Sequence, residues 1–137
     1  MNIKNLLSEL RKLDLPKNKF AITSSGSMGI RNIREINDLD IIVYPELWQS
    51  LSKKYKVIKE NDLESIYIEN IQILGNGSYF TNPKFGGVIN QIDNADIIDG
   101  YRYVKLNTIL KIKKIISRPK DIIDIKLIEE YLFKNLN

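Results

Sequence analysis

The chain has 137 residues, 43% of them hydrophobic and 28% charged, which suits one globular domain with a buried core. It contains no cysteine and no histidine, so disulfides, thiolate zinc sites and cysteine nucleophiles are excluded, any general base must be a carboxylate, a lysine, a tyrosine or water, and any metal must be held by oxygen. Its 21 basic and 17 acidic residues leave a mild net charge of +4 that is unevenly placed along the chain.

Ile3, Leu6, Leu7, Leu10 and Leu13 recur at helical spacing and predict an amphipathic helix over residues 2–13, ended by Leu15-Pro16. This stretch carries charges throughout and does not read as a signal peptide; no segment has membrane-spanning length, so a cytoplasmic protein is expected. Phe20 to Thr23 reads as a buried strand, followed by the small-residue turn Ser24-Ser25-Gly26-Ser27. Met28 to Glu35 reads as a short helix or turn carrying Arg31 and Arg34, and Asp38 to Tyr44 as the second strand. Pro45 opens a helix through Lys54 with Leu47, Trp48 and Leu51 inward, Trp48 being a core residue. Tyr55 to Lys59, Ser65 to Ile68 and Ile71 to Leu74 alternate as strands, with a turn at Glu60-Asn61-Asp62 and a stop at Gly75-Asn76-Gly77. Ser78 to Val88 is expected to be a loop, a lid or substrate loop by its length, and a short helical turn is expected between Ile89 and Gly100. Tyr101 to Val104 is extended, Leu106 to Ser117 a helix, and a last helix runs from Pro119 to about Phe133. No repeat or internal boundary interrupts the chain, so residues 1–137 read as a single domain: α/β of the α+β kind, with a short mixed sheet and helices on one side.

Chemistry concentrates in two places. Asp38 and Asp40 sit two apart on a strand, so both carboxylates share one face while Leu39, Ile41 and Val43 share the other. Two adjacent carboxylates repel unless a cation lies between them, and magnesium suits such a pair when phosphate oxygens complete its shell. The bland alternative is a polar strand entrance with two solvated carboxylates. Just upstream, Ser24, Ser25, Gly26 and Ser27 offer hydroxyls, backbone N–H groups and one permissive glycine, which is the chemistry of a phosphate seat. The second place is Arg102 to Lys120, with seven basic residues and no acidic one. It suits a phosphate-facing surface or, more blandly, a solvated helix face. In Arg118-Pro119-Lys120-Asp121 the proline and acid fit a helix start, with Asp121 and Asp124 capping it or pairing with Lys113 or Arg118.

A strand, a Ser/Gly turn and then Asp-x-Asp on the next strand resemble the nucleotidyltransferases of the polymerase-beta type. Arg118-Pro119-Lys120-Asp121-Ile122-Ile123-Asp124 resembles the Arg-Pro-Lys-Asp-x-x-Asp motif that follows a helix in small members of that superfamily. The resemblance implies a nucleotidyltransferase-like fold and a Mg2+ (or Mn2+) site at Asp38 and Asp40. It implies transfer of an NMP group from an NTP to an acceptor hydroxyl on RNA, protein or a small molecule. The family's glycine-serine pair falls either on Gly26-Ser27 or on Ser24-Ser25, the second placing Ser24 where glycine is usual. The family's third carboxylate, often its general base, falls on Gln72, which accepts no proton at neutral pH and is a poor magnesium ligand; Glu69 is the fallback. Lys113 and Lys120 are expected to reach into the cleft as cations toward nucleotide phosphates, and the resemblance places Arg34 similarly, either on phosphate or in a salt bridge in the neighbourhood of Asp38. Two other readings stay open: a non-catalytic nucleotide- or RNA-binding module, and an antitoxin-like partner of another protein, since minimal domains of this kind pair with helical toxins.

Overall fold

One strand dictates the layering. In the computed structural model, which describes residues 2–136, β1 (Phe20–Thr23) is buried along its whole length. A strand apolar on both faces needs cover on both. Phe20 and Ile22 turn toward Leu6 and Leu10 of α1 (Ile3–Lys12), joined by Leu51 of α3 (Pro45–Lys54). Ala21 turns the other way, into a second core with Ile92 of α4 (Gly87–Asp93), Ile109 and Ile112 of α5 (Leu106–Ile116) and Ile128 of α6 (Pro119–Lys134). Helices therefore flank the sheet on both sides, which corrects the expectation of helices on one side.

The fold is mixed α/β of the α+β kind, built on a seven-stranded sheet in the order β3-β4-β5-β2-β1-β7-β6. The remaining strands are β2 (Leu39–Val43), β3 (Ile58–Glu60), β4 (Leu63–Ile68), β5 (Ile71–Leu74), β6 (Asp96–Ile98) and β7 (Tyr101–Tyr103). β1 runs antiparallel to β2 and parallel to β7, and β2 runs parallel to β5. Along β2 the period of two sends Leu39, Ile41 and Val43 into the core under α1 and α3, and Ile42 into the core under α4–α6. Asp40 shares the second face, at the open end of that core. Among the described residues no helix is long and apolar enough to cross a membrane.

Several elements differ from their expected bounds. The helix after β1 is α2 (Ser25–Gly29), and residues 30–37 are turns and irregular chain rather than a helix reaching Glu35. The stretch 78–88 holds two 3-10 turns, Tyr79–Thr81 and Pro83–Phe85, and the start of α4. Its short turns are capped by Ser78 and Asn82, whose side chains accept from Phe80 N and Lys84 N. β6 was not anticipated; it pairs with β7 through Asp99-Gly100, both at positive φ (49° and 86°), the backbone demanded by a tight hairpin turn.

Candidate functional site

A cleft of about 640 Å³ opens where β1 ends and β2 begins. It is lined by the turn after β1, the aspartates of β2, the polar face of β4 and β5, and the junction of α5 with α6.

Ser24, the residue before α2, has φ 55° and ψ −132°. That backbone is natural to glycine and strained for a residue with a Cβ, a cost of order 1–3 kcal/mol. The strain sits at the cleft wall, where Ser24 and Ser25 both line the opening. Gly26 and Ser27 do different work. A Cβ on Gly26 would stand 2.3 Å from Cγ2 of Ile22, so this glycine lets α2 lie directly on β1. The buried Ser27 hydroxyl is within 3.0 Å of the Val104 carbonyl and 3.3 Å of the Ile22 carbonyl, tying α2 to the sheet from behind.

Asp38 is exposed just before β2, and Asp40 is half-buried within it. In register, Asp40 lies between Thr23 of β1 and Gln72 of β5. Burial, and then the neighbouring charge of Asp38, push the Asp40 carboxyl up to about 7, although Lys113, Lys120 and Arg118 pull against them. Among the described residues neither carboxylate has an ion pair, and a cation between the two would relieve their repulsion. The two carboxylates, with the hydroxyls and amide of Ser24, Ser25, Ser65, Tyr67 and Gln72 in the same cleft and cations on its far side, offer the oxygen donors of a hard divalent ion that takes its remaining ligands from phosphate and water.

Gln72 stands beside Asp40, as the alternation of Ile71-Gln72-Ile73 requires. Its Nε2 donates to Ser65 Oγ at 2.9 Å and to Tyr67 Oη at 3.0 Å. Glu69 lies elsewhere: it is exposed at φ 53° in the hairpin turn between β4 and β5 and does not line the cleft. Among the described residues no group of three or more acidic side chains is arranged to hold a metal ion.

The cationic side of the cleft is mostly committed. Lys113 is 3% exposed; its Nζ lies 3.3 Å from Asp121 Oδ1 and 3.0 Å from Asp124 Oδ2. Arg34 holds both oxygens of Asp124, Nε to Oδ1 at 2.8 Å and Nη2 to Oδ2 at 3.0 Å. Arg118 donates its Nε to Asp121 Oδ2 at 2.6 Å and its backbone N–H to the same oxygen, capping α6. Burial pushes both carboxyls up, but these contacts outweigh it: Arg118 and Lys113 hold Asp121 below the ordinary carboxylate range, and Arg34 and Lys113 do the same for Asp124. Arg34 and Lys113 thus reach the cleft with their charge already engaged. Lys120 is exposed at the cleft and has no ion pair among the described residues.

Sequence reasoning left out Ser65 and Tyr67, although strand alternation places both on the face that Gln72 occupies. The Arg34–Asp124 pair joins residues 90 apart, and no local pattern signals it. Asp93 and Asp96 are used away from the cleft: Asp93 accepts from the Tyr44 hydroxyl, and Asp96 pairs with Arg31 and Lys105, each at 2.7 Å. Comparison with family models, curated proteins and solved structures finds no match to this chain.

Proposed function

We propose that the cleft binds a nucleoside triphosphate together with Mg2+ or Mn2+, and that its chemistry is nucleotidyl transfer to an acceptor hydroxyl. One observation carries the reading: a single cleft gathers the strained Ser24-Ser25 turn, the pair Asp38 and Asp40, and, from far along the chain, Lys120, which has no ion pair among the described residues. Anionic phosphates suit the turn and the lysine, and Asp38 and Asp40 would hold a cation that would supply charge neutralisation for those phosphates. In the reaction the acceptor oxygen forms a bond to the α-phosphorus, the bond to the bridging oxygen breaks, and pyrophosphate leaves with that electron pair. The acceptor's proton needs a base, a contribution commonly of order 10² to 10⁴ in rate.

The amide at Gln72 favours a second reading of the same site, in which the nucleotide is bound and turnover is slow or absent. Calorimetry with Mn2+ and a non-hydrolysable NTP tests the shared part. Binding should require the metal and disappear in Asp38→Asn/Asp40→Asn; metal-independent binding that survives this double substitution sinks both readings. Incubation with radiolabelled NTP, cell RNA and protein then separates them. Label transferred only with metal supports the enzyme, and none supports the binder.

A further inference from the structure

Gln72 carries more than the absence of a carboxylate. An amide has two N–H donors and one carbonyl oxygen. Both donors of Gln72 are engaged, by Ser65 Oγ at 2.9 Å and Tyr67 Oη at 3.0 Å, while the carbonyl oxygen has no partner among the described residues. Ser65 is buried and Tyr67 lies directly opposite Gln72 in register, so two residues of β4 fix which way the amide faces. Across β2 the neighbour on the far side of Asp40 is Thr23, whose hydroxyl is fully buried and also lacks a partner. On one side of Asp40 the buried Thr23 hydroxyl is unsatisfied, a pattern native structures reserve for strain, chemistry or a bound ion, and on the other the partly exposed Gln72 lines the cleft with a carbonyl oxygen that no described residue engages.

Resting on the metal site proposed above, we infer that Gln72 supplies a neutral oxygen to the divalent cation held by Asp38 and Asp40, with Ser65 and Tyr67 orienting its amide. The charge count gives this ligand its consequence. A divalent ion on two carboxylates and an amide is neutral, whereas a glutamate at the same position would leave one negative charge facing an incoming polyphosphate. The amide weakens the hold on metal alone and lowers the repulsion of polyphosphate. Metal and phosphate chain are therefore taken up together, and the cleft retains its ligand rather than driving it onward.

The test uses Mn2+ alone, and Mn2+ with inorganic tripolyphosphate, followed by calorimetry and by the electron paramagnetic resonance signal of free Mn2+. Gln72→Leu keeps the volume and removes the oxygen; Mn2+ affinity in the presence of tripolyphosphate should fall roughly 10-fold, the usual scale for losing a supporting group at a metal. Gln72→Glu should bind Mn2+ alone roughly 10-fold more tightly and tripolyphosphate, at saturating Mn2+, less tightly than wild type. Ser65→Ala/Tyr67→Phe should move Mn2+ affinity in the direction of Gln72→Leu, and no change there overturns the orienting role. Thermal melts check that each variant is folded. If Gln72→Leu leaves Mn2+ affinity unchanged while Asp38→Asn/Asp40→Asn abolishes it, the metal site stands and the amide is not its ligand. If the double asparagine variant also binds Mn2+ as wild type does, the underlying metal site itself is wrong.

Discussion

Two pairs of aspartates lie in or beside this cleft, and they are treated in opposite ways. Asp121 and Asp124 are buried among three cations, Lys113, Arg34 and Arg118, which hold their carboxyls below the ordinary range. Asp38 and Asp40 have no ion pair among the described residues, and Asp40 titrates near 7. The first pair is finished by the protein: it staples the α5–α6 junction to the loop before β2. The second is left unfinished. Where a fold satisfies one carboxylate pair so fully and leaves its neighbour wanting a cation, the second pair is where a ligand is expected.

The largest effect should come from breaking the finished pair. Lys113→Met removes the cation shared by two buried carboxylates, and losing one partner of a buried network costs about 3–5 kcal/mol. Urea unfolding should show that loss; a change under about 1 kcal/mol would mean that Arg34 and Arg118 suffice without Lys113. Relieving the unfinished pair should have the opposite sign. The folded protein holds a proton on Asp40 up to about 7, against 3.8 for the ordinary carboxyl, so without metal stability is lost as pH rises between those values. Asp40→Asn removes this loss and should stabilise the metal-free protein by about 1–3 kcal/mol at pH 8, with little gain near pH 4. A gain independent of pH would show that packing rather than charge is responsible. For Asp121 and Asp124 the sign reverses: their stabilisation is present above the ordinary carboxylate range and disappears as pH falls through their lowered values.

Smaller effects sharpen the contrast. Ser24→Gly should relax the φ 55° backbone and stabilise the protein by about 1 kcal/mol, read as a rise in melting temperature, while bringing polyphosphate closer. A destabilised glycine variant would mean that the serine hydroxyl is worth more than the strain. Lys120→Ala should change stability least, within about 0.5 kcal/mol, yet weaken tripolyphosphate binding with reduced salt dependence. An unchanged affinity there would remove Lys120 from the site.

The contrast was only half legible in the sequence. Period-two alternation put Asp38 and Asp40 on a common side and Gln72 on the polar face of its own strand, because strand faces follow from spacing; that Gln72 stands beside Asp40 needed the pairing of β5 with β2, which the fold supplies. The pairing of Asp121 with Arg118 was also open to reading, being three residues apart at a helix start. The arrangement of the cations that finish the first pair was harder to see. Lys113 stood among the expected partners of Asp121 and Asp124, but that it would be buried and shared by both follows only once α6 folds back on α5, and Arg34 finds Asp124 only through the tertiary fold. β6 was missed for a different reason. Its three residues are too few for periodicity, and only Asp99-Gly100, a hairpin signal between apolar residues, marks it.

The bond from Arg34 to Asp124 has a consequence in time. The strand that bears Asp40 and the one that leads into Ser24 are made early, but Asp124, which anchors the loop before β2 through Arg34, arrives 90 positions after that arginine. During synthesis at roughly 5–20 residues per second the sheet's centre can pair for several seconds before α6 exists to complete the cleft. Such a long closure is paid in loop entropy and belongs to the late part of folding. The carboxylates that a metal would occupy are thus among the last to acquire their surroundings. Pulse-labelled hydrogen exchange should accordingly find the β1–β2 amides protected before those of α6, and simultaneous protection would show that the C-terminal helix docks with the sheet rather than after it.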